Sequence, residues 1–244
     1  MPQGAGPFAA SLSSGPFGGR RPPQEDKMNR HIPFCKKDCM PLRIAMTLIG
    51  IFFTALSVAL FRKISWGVDP FTCLVEAVEN ITHGRFGVVF TAVQVVLLVV
   101  TFCLGRHYIG LGTLLTMFGM GVFVDGISVV VEAIAPAPGV IGKAVMFVLG
   151  FLVLCFGAAL YITSDLGVSS YDAMALILTE RKLAKFRVCR ILTDCICVAV
   201  GFFFSANIGL ATVLTAFFMG PLVSWMQAAF AVPLLARAQS TAKK

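Results

Sequence analysis

The chain has 244 residues, 57% of them hydrophobic and 13% charged, with a formal net charge of +8. A soluble domain carries roughly 25% charged and 45–50% apolar residues, so this composition excludes an ordinary water-soluble fold. The basic residues cluster beside apolar runs rather than along one soluble face, which argues against nucleic acid as a partner and reads as a membrane topology signal.

Residues 1–40 are rich in Gly, Pro, Ser and Gln and contain no apolar run followed by a small-residue cleavage site. The expectation is a disordered cytoplasmic tail rather than a signal peptide. At its end Cys35 and Cys39 flank Lys36 and Lys37, a C-x3-C spacing that leaves metal binding and a juxtamembrane redox pair both open. The other cysteines, Cys73, Cys103, Cys155, Cys189, Cys195 and Cys197, lie in or beside apolar stretches and read as small packing residues.

Six apolar runs follow, at 44–61, 86–104, 108–134, 140–163, 191–206 and 208–236. Each is near or above the roughly 17–25 residues that cross a hydrocarbon core. Lipid offers the backbone no hydrogen-bond partner, so each run is expected as a helix. Lys27, Arg30, Lys36, Lys37 and Arg43 precede the first run, Arg181, Lys182, Lys185, Arg187 and Arg190 lead into the fifth, and Arg237, Lys243 and Lys244 close the chain. The excess of Lys and Arg predicts that all three clusters, and both termini, are cytoplasmic. Residues 237–244 form a second short tail in this reading.

Two shorter helices are expected between the runs, over 70–82 and 170–180. Asp69 is placed as the N-cap of the first, with Pro70 at its first position; Ser169, with Asp172 three residues on, forms a capping box at the second. These polar residues read equally as caps and nothing more. With Glu76 and Glu79 inside it, the first helix is too short and too polar to span, and an interfacial or partly inserted helix is expected.

The chain repeats itself. The stretch Ile109-Gly110-Leu111-Gly112-Thr113-Leu114-Leu115-Thr116 returns as Ile208-Gly209-Leu210-Ala211-Thr212-Val213-Leu214-Thr215. Upstream, Gly50 aligns with Gly150, Ala59-Leu60 with Ala159-Leu160, Gly67-Val68 with Gly167-Val168, and Phe86 with Phe186. Three spans per half would make the second half enter the membrane upside down.

Charged groups inside spans cost about 2.5–3.5 kcal/mol on insertion scales and tend to face a partner or a cavity. The candidates are Asp125, Glu132 and Asp194. Glu132, near a span end, reaches water in the plainer reading. Asp194 stands four residues beyond Arg190, so an i,i+4 ion pair is the alternative to a functional carboxylate. The repeat sets Gln94 opposite Asp194, and Thr113 and Thr212 follow glycine-rich helix starts, where backbone amides attract anions or where small residues serve close packing. Asp194, Gln94, Thr113, Thr212 and Asp125 are therefore the candidate solute-binding residues. His31, His83 and His107 stand singly, and no H-E-x-x-H, G-x-S-x-G or P-loop pattern occurs, so neither an enzyme, nor a metal, nor a cofactor is expected.

With these stretches laid out, the chain resembles the YczE/YyaS/YitT-like group of bacterial multi-pass membrane proteins, which carry an LGVDPF turn and a GxGTLL helix start. The matching residues are Trp66-Gly67-Val68-Asp69-Pro70-Phe71 and Ile109-Gly110-Leu111-Gly112-Thr113-Leu114, ending at Gly121 and Asp125, with second-half partners Leu166-Gly167-Val168-Ser169-Ser170-Tyr171-Asp172 and Gly209-Leu210-Ala211-Thr212. Trp66, Ser170 and Ala211 depart from the pattern, where leucine, proline and glycine are usual. The resemblance implies a bacterial cytoplasmic membrane and supplies no substrate.

The reading is an all-α, polytopic membrane protein with two internal repeats of three spans each, expected to be inverted, over 41–135 and 140–236. Its leading function is a permease or secondary transporter of an unidentified small solute in the lipid bilayer. The alternative is a non-transporting scaffold or accessory factor for a partner complex. A water-accessible path between the halves favours the first, and a sealed interface with an apolar outer groove favours the second.

Overall fold

The computed structural model of the chain describes residues 40–105, 109–134, 139–181 and 186–236, with Phe186 and Arg187 described by backbone alone. The expected tails, Cys35 and Cys39, His31 and His107, and the basic residues Arg106, Lys182, Lys185 and Arg237 lie outside the described residues. Among those described there are eight α-helices and no strand. They are α1 (Met40–Ile64), α2 (Pro70–Thr82), α3 (Phe86–Gly105), α4 (Leu111–Ile134), α5 (Val140–Thr163), α6 (Ser170–Glu180), α7 (Phe186–Phe203) and α8 (Leu210–Met226). A wider π turn, Gln227–Ala231, carries α8 onward to Ala236.

Five of these helices, α1, α3, α4, α5 and α8 with its extension, are long and apolar enough to cross a membrane. The six apolar runs of the sequence thus reduce to five on length and composition. The difference is α7, whose 18 residues include Arg187, Arg190 and Asp194; a helix start at Phe186 takes in charges that the run 191–206 leaves out.

The short helices begin as their caps dictate. Asp69 accepts a hydrogen bond from the Thr72 backbone N–H at 3.1 Å, with Pro70 in the first turn where a missing N–H costs nothing. Ser169 accepts from the Asp172 N–H at 3.3 Å. The turns before them share one backbone plan. Ser65 and Asp165 lie at positive φ, and Gly67 and Gly167 follow at +100° and +115°.

α1 and α5 form the central pair. A Cβ on Gly50 would lie 2.7 Å from the Gly157 carbonyl oxygen, and one on Gly157 equally close to that of Gly50, so the two backbones touch there. Gly150 meets Phe61 further along, and Arg43 at the start of α1 donates to the Ser164 carbonyl beyond the end of α5 at 2.8 Å. The two helices therefore run antiparallel. α4 runs parallel to α1: Gly119 faces Ile51, and Lys63 pairs with Glu132 at 2.6 Å. Glu132 is otherwise exposed, in keeping with a carboxylate at a helix end.

Each turn is gripped by a distant helix start. The Trp66 carbonyl accepts from the Ala211 N–H at 3.0 Å and Val68 N–H donates to Asn207 at 3.1 Å, while the Leu166 carbonyl accepts from Gly112 at 2.8 Å. Gly110 and Gly209 are required at these crossings, since a Cβ on either would collide with the carbonyl of Leu166 or Trp66. The main apolar core joins Ile51, Ala55 and Val58 of α1 to Phe71, Phe90, Met120 and Tyr171. The first turns of both short helices thus meet at the centre of the bundle.

Candidate functional site

Capping sets the site. Because Ser169 caps α6, Tyr171 and Asp172 fall in its first turn, and α6 packs on α7, which presents Arg190 and Asp194 one turn apart. The Arg190 guanidinium donates through Nη1 to Asp172 Oδ1, and its Nε lies 3.6 Å from Asp194 Oδ1. The i,i+4 pairing is therefore present, but the closer partner comes from another helix. Tyr161, near the end of α5, donates its hydroxyl to the other oxygen of Asp172, and the Tyr171 hydroxyl donates to Asp194. Asp194 is 6% exposed and Tyr171 7%. Two carboxylates and two phenols thus converge on one guanidinium.

The Tyr171 ring is shared between the halves. Arg190 sits 4.8 Å from its centroid, a cation–π contact, and Phe71 of α2 stacks on it at 4.7 Å and 25°. Phe71 in turn meets Phe90 of α3 edge-on at 5.5 Å. Setting residues 100 apart against each other, Tyr161 corresponds to Phe61, Tyr171 to Phe71, Asp172 to Thr72, Arg190 to Phe90 and Asp194 to Gln94. Every member of the charged cluster faces an uncharged counterpart.

Asp69 stands at the edge of this centre. Its carboxylate takes the Thr72 N–H and, at 2.6 Å, the Thr72 hydroxyl. Burial pushes the Asp69 carboxyl above the usual carboxylate range, against the downward pull of those hydrogen bonds and of the Arg190 charge.

A second polar region lies at the far end of α2, in an open cleft of about 920 Å³ lined by Arg62, Glu76, Glu79, Asn80, His83 and Asn207, among others. Arg62 bridges Glu79 at 2.7 Å and Glu76 at 3.3 Å. Glu76 accepts the Asn207 N–H at 3.0 Å, and Asn80 donates to the Phe204 and Ser205 carbonyls at 2.9 and 3.0 Å. Burial raises the Glu76 carboxyl, opposed by the Asn207 amide and by Arg62. The acidic residues of α2 fasten it to α1 and to the turn after α7.

The five residues singled out from sequence do not share a bonded site. Asp194 belongs to the central cluster. Gln94 is 3% exposed on α3, with its Oε1 buried and unpartnered. Thr113 donates to the Val168 carbonyl at 2.7 Å and accepts the Gly110 N–H, and Thr212 accepts the Gly209 N–H at 3.3 Å and lies 3.8 Å from Cys73 Sγ. Neither threonine bonds Asp194 or Gln94: the Thr113 hydroxyl is taken up by the 165–169 turn and its own helix start, and that of Thr212 by its own helix start and Cys73. Asp125 accepts the Gly87 N–H at 3.0 Å, satisfying an amide at the start of α3. Sequence reasoning passed over Tyr161 and Tyr171 and read Asp172 only as a cap. A usable signal existed: two of the chain's three tyrosines stand where the aligned half has phenylalanine.

Residues 41–228 match the model of DUF6198, a family of unknown function. The chain is 25% identical over 170 residues to the uncharacterized protein YyaS of Bacillus subtilis, covering 68% of this chain and 83% of that protein. It is 23% identical over 188 residues to the uncharacterized membrane protein YczE of the same organism, covering 75% and 85%. An uncharacterized Haemophilus influenzae protein is 28% identical over 117 residues, 48% of this chain and about half, 52%, of that relative. No solved structure matches the chain. The resemblance to the YczE/YyaS group therefore holds, and with the apolar helices it makes this an integral membrane protein.

Proposed function

This chain belongs to the DUF6198 family, and from that premise we propose that it is a secondary transporter of a small solute, built of two inverted halves, that carries its solute without converting it. α7 is the sixth crossing in this reading, with Arg190 and Asp194 turned inward, and both termini face the cytoplasm across the cell membrane. The antiparallel run of α1 and α5, whose sequences align, supports inversion, as does the grip on the turns, made once by each half on the other.

One observation carries the transport reading: the cluster of Arg190 and Asp172, both partly buried, with the buried Asp194 at the junction of the halves, opposite an uncharged counterpart. Charge held in a bundle interior is retained at a cost, and packing alone would be served as well by the phenylalanines, threonine and glutamine of the other half. The test is flux into proteoliposomes holding the purified full chain, screened against a broad mixture of small metabolites. Saturable uptake of at least one solute, lost in Asp194→Asn at equal incorporation, is expected. Failure of every solute to move in either direction would sink the reading.

A second reading has its own observation. An apolar groove of about 450 Å³, formed by Phe151, Leu214, Phe218, Pro221, Leu222 and Trp225, opens on the outside of the bundle between α5 and α8. A scaffold or accessory factor would use such a groove to seat an apolar partner. Trp225→Ala with Phe218→Ala would then abolish function, and in the transporter reading it would leave flux intact.

A further inference from the structure

We propose that the central cluster takes up and releases one proton at Asp194, with the Arg190 guanidinium handed between Asp172 and Asp194 as it does so. The inference rests on the transporter reading for its purpose and assigns that transporter its coupling ion.

The argument is one of unequal satisfaction. Asp172 has the better position: one oxygen takes the guanidinium N–H and the other the Tyr161 hydroxyl. Asp194 has the Tyr171 hydroxyl and an Arg190 Nε at 3.6 Å, beyond hydrogen-bond length. The titratable and charged groups around Asp194 are Tyr171 and Asp172 of α6, Asp69 of the turn before α2, and Arg190 and Cys197 of α7. Among these described groups, Arg190 alone is positive against three carboxylates. A lone, partly buried guanidinium balances one carboxylate, and Asp69 is already committed to Thr72. Neutralising the carboxylate with the fewest donors is the least costly remedy, and that carboxylate is Asp194.

The step balances simply. A hydronium ion from one side of the membrane supplies the proton, an O–H bond forms on Asp194, the Tyr171 hydroxyl turns from donor to acceptor, and Arg190 settles on Asp172. Release to water on the other side breaks that O–H bond and leaves Asp194 anionic, drawing Arg190 toward it. The uncharged counterparts Phe90, Thr72 and Gln94 hold no such proton, so one half of the molecule titrates and the other does not.

The test is an infrared pH titration of the full chain in lipid nanodiscs, read at the carboxylic-acid carbonyl stretch. The wild type should show one band that disappears as the pH rises, and Asp194→Asn should lack it. Asp172→Asn frees Arg190 for Asp194, so the midpoint should move toward acid by about one unit or more. Should Asp194→Asn fail to fold, Asp194→Glu takes its place and must shift the band and its midpoint; an unmoved band overturns the proposal. So does a band that survives in Asp194→Asn, or a wild type in which no carboxylic-acid band titrates. Solute flux driven by a pH gradient is measured separately. A titrating Asp194 without any flux would sink the transporter reading and leave the proton site standing, and flux without a titrating band would do the reverse.

Discussion

Gly67 and Gly167 hold left-handed backbone at φ +100° and +115°, and a Cβ on Gly67 would come within 2.5 Å of the Gly209 nitrogen. Gly67→Ala and Gly167→Ala should each lower stability by more than about 1 kcal/mol, seen as a reduced melting temperature of the detergent-purified chain. Gly126, inside α4 with nothing within 4 Å of its Cβ position, is the contrasting case. Gly126→Ala should be neutral or stabilising by up to about 1 kcal/mol through its effect on helix propensity. Equal losses at all three positions would refute the account of the turns. Asp125→Ala strips the Gly87 amide of its acceptor and should cost about 1–3 kcal/mol if that amide finds no water. The cluster residues were legible to different depths. Arg190 and Asp194 announce themselves as an i,i+4 pair, whereas the bonds of Asp172 to Arg190 and Tyr161 join three helices and leave no trace in local spacing.

At the scale of elements, the short helices were read from sequence to their ends, 70–82 and 170–180, because Asp69 and Ser169 fix helix starts by chemistry within three residues. The nature of α7 was not legible in the same way. Arg190 and Asp194 find their partners on α6, and hydropathy along one segment registers the charge without its partner. The α1–α5 contact depends on two backbones meeting at Gly50 and Gly157, as small residues permit in membrane bundles. Gly50→Leu or Gly157→Leu should separate these helices and abolish the monodisperse folded species on size-exclusion chromatography. Gly220→Leu, in a position with open space around it, should elute as the wild type does. Loss at Gly220 alone would contradict the packing described.

For the whole molecule, the inverted arrangement we propose predicts sidedness. In a cysteine-free background, single cysteines replacing Arg85 and Lys143 should react with an impermeant thiol reagent added outside cells, and one replacing Arg181 only after permeabilisation. Protection of the first two would mean that both halves face the same way. The grip on the turns also bears on how the chain is made. Trp66 and Val68 wait for Asn207 and Ala211, and Leu166 reaches back to Gly112, so the first half leaves the ribosome with its 65–69 turn still missing its partners. Such long-range closure makes folding slow and exposes intermediates. During synthesis the early helices must stay in the bilayer as an open, protease-sensitive assembly until the last helix arrives. A break in the covalent chain between the halves should be tolerated for the same reason, because the joint is made by interlocking rather than by the linker. Fragments 1–137 and 138–244, produced together, should assemble and co-purify, while 1–137 produced alone should be degraded.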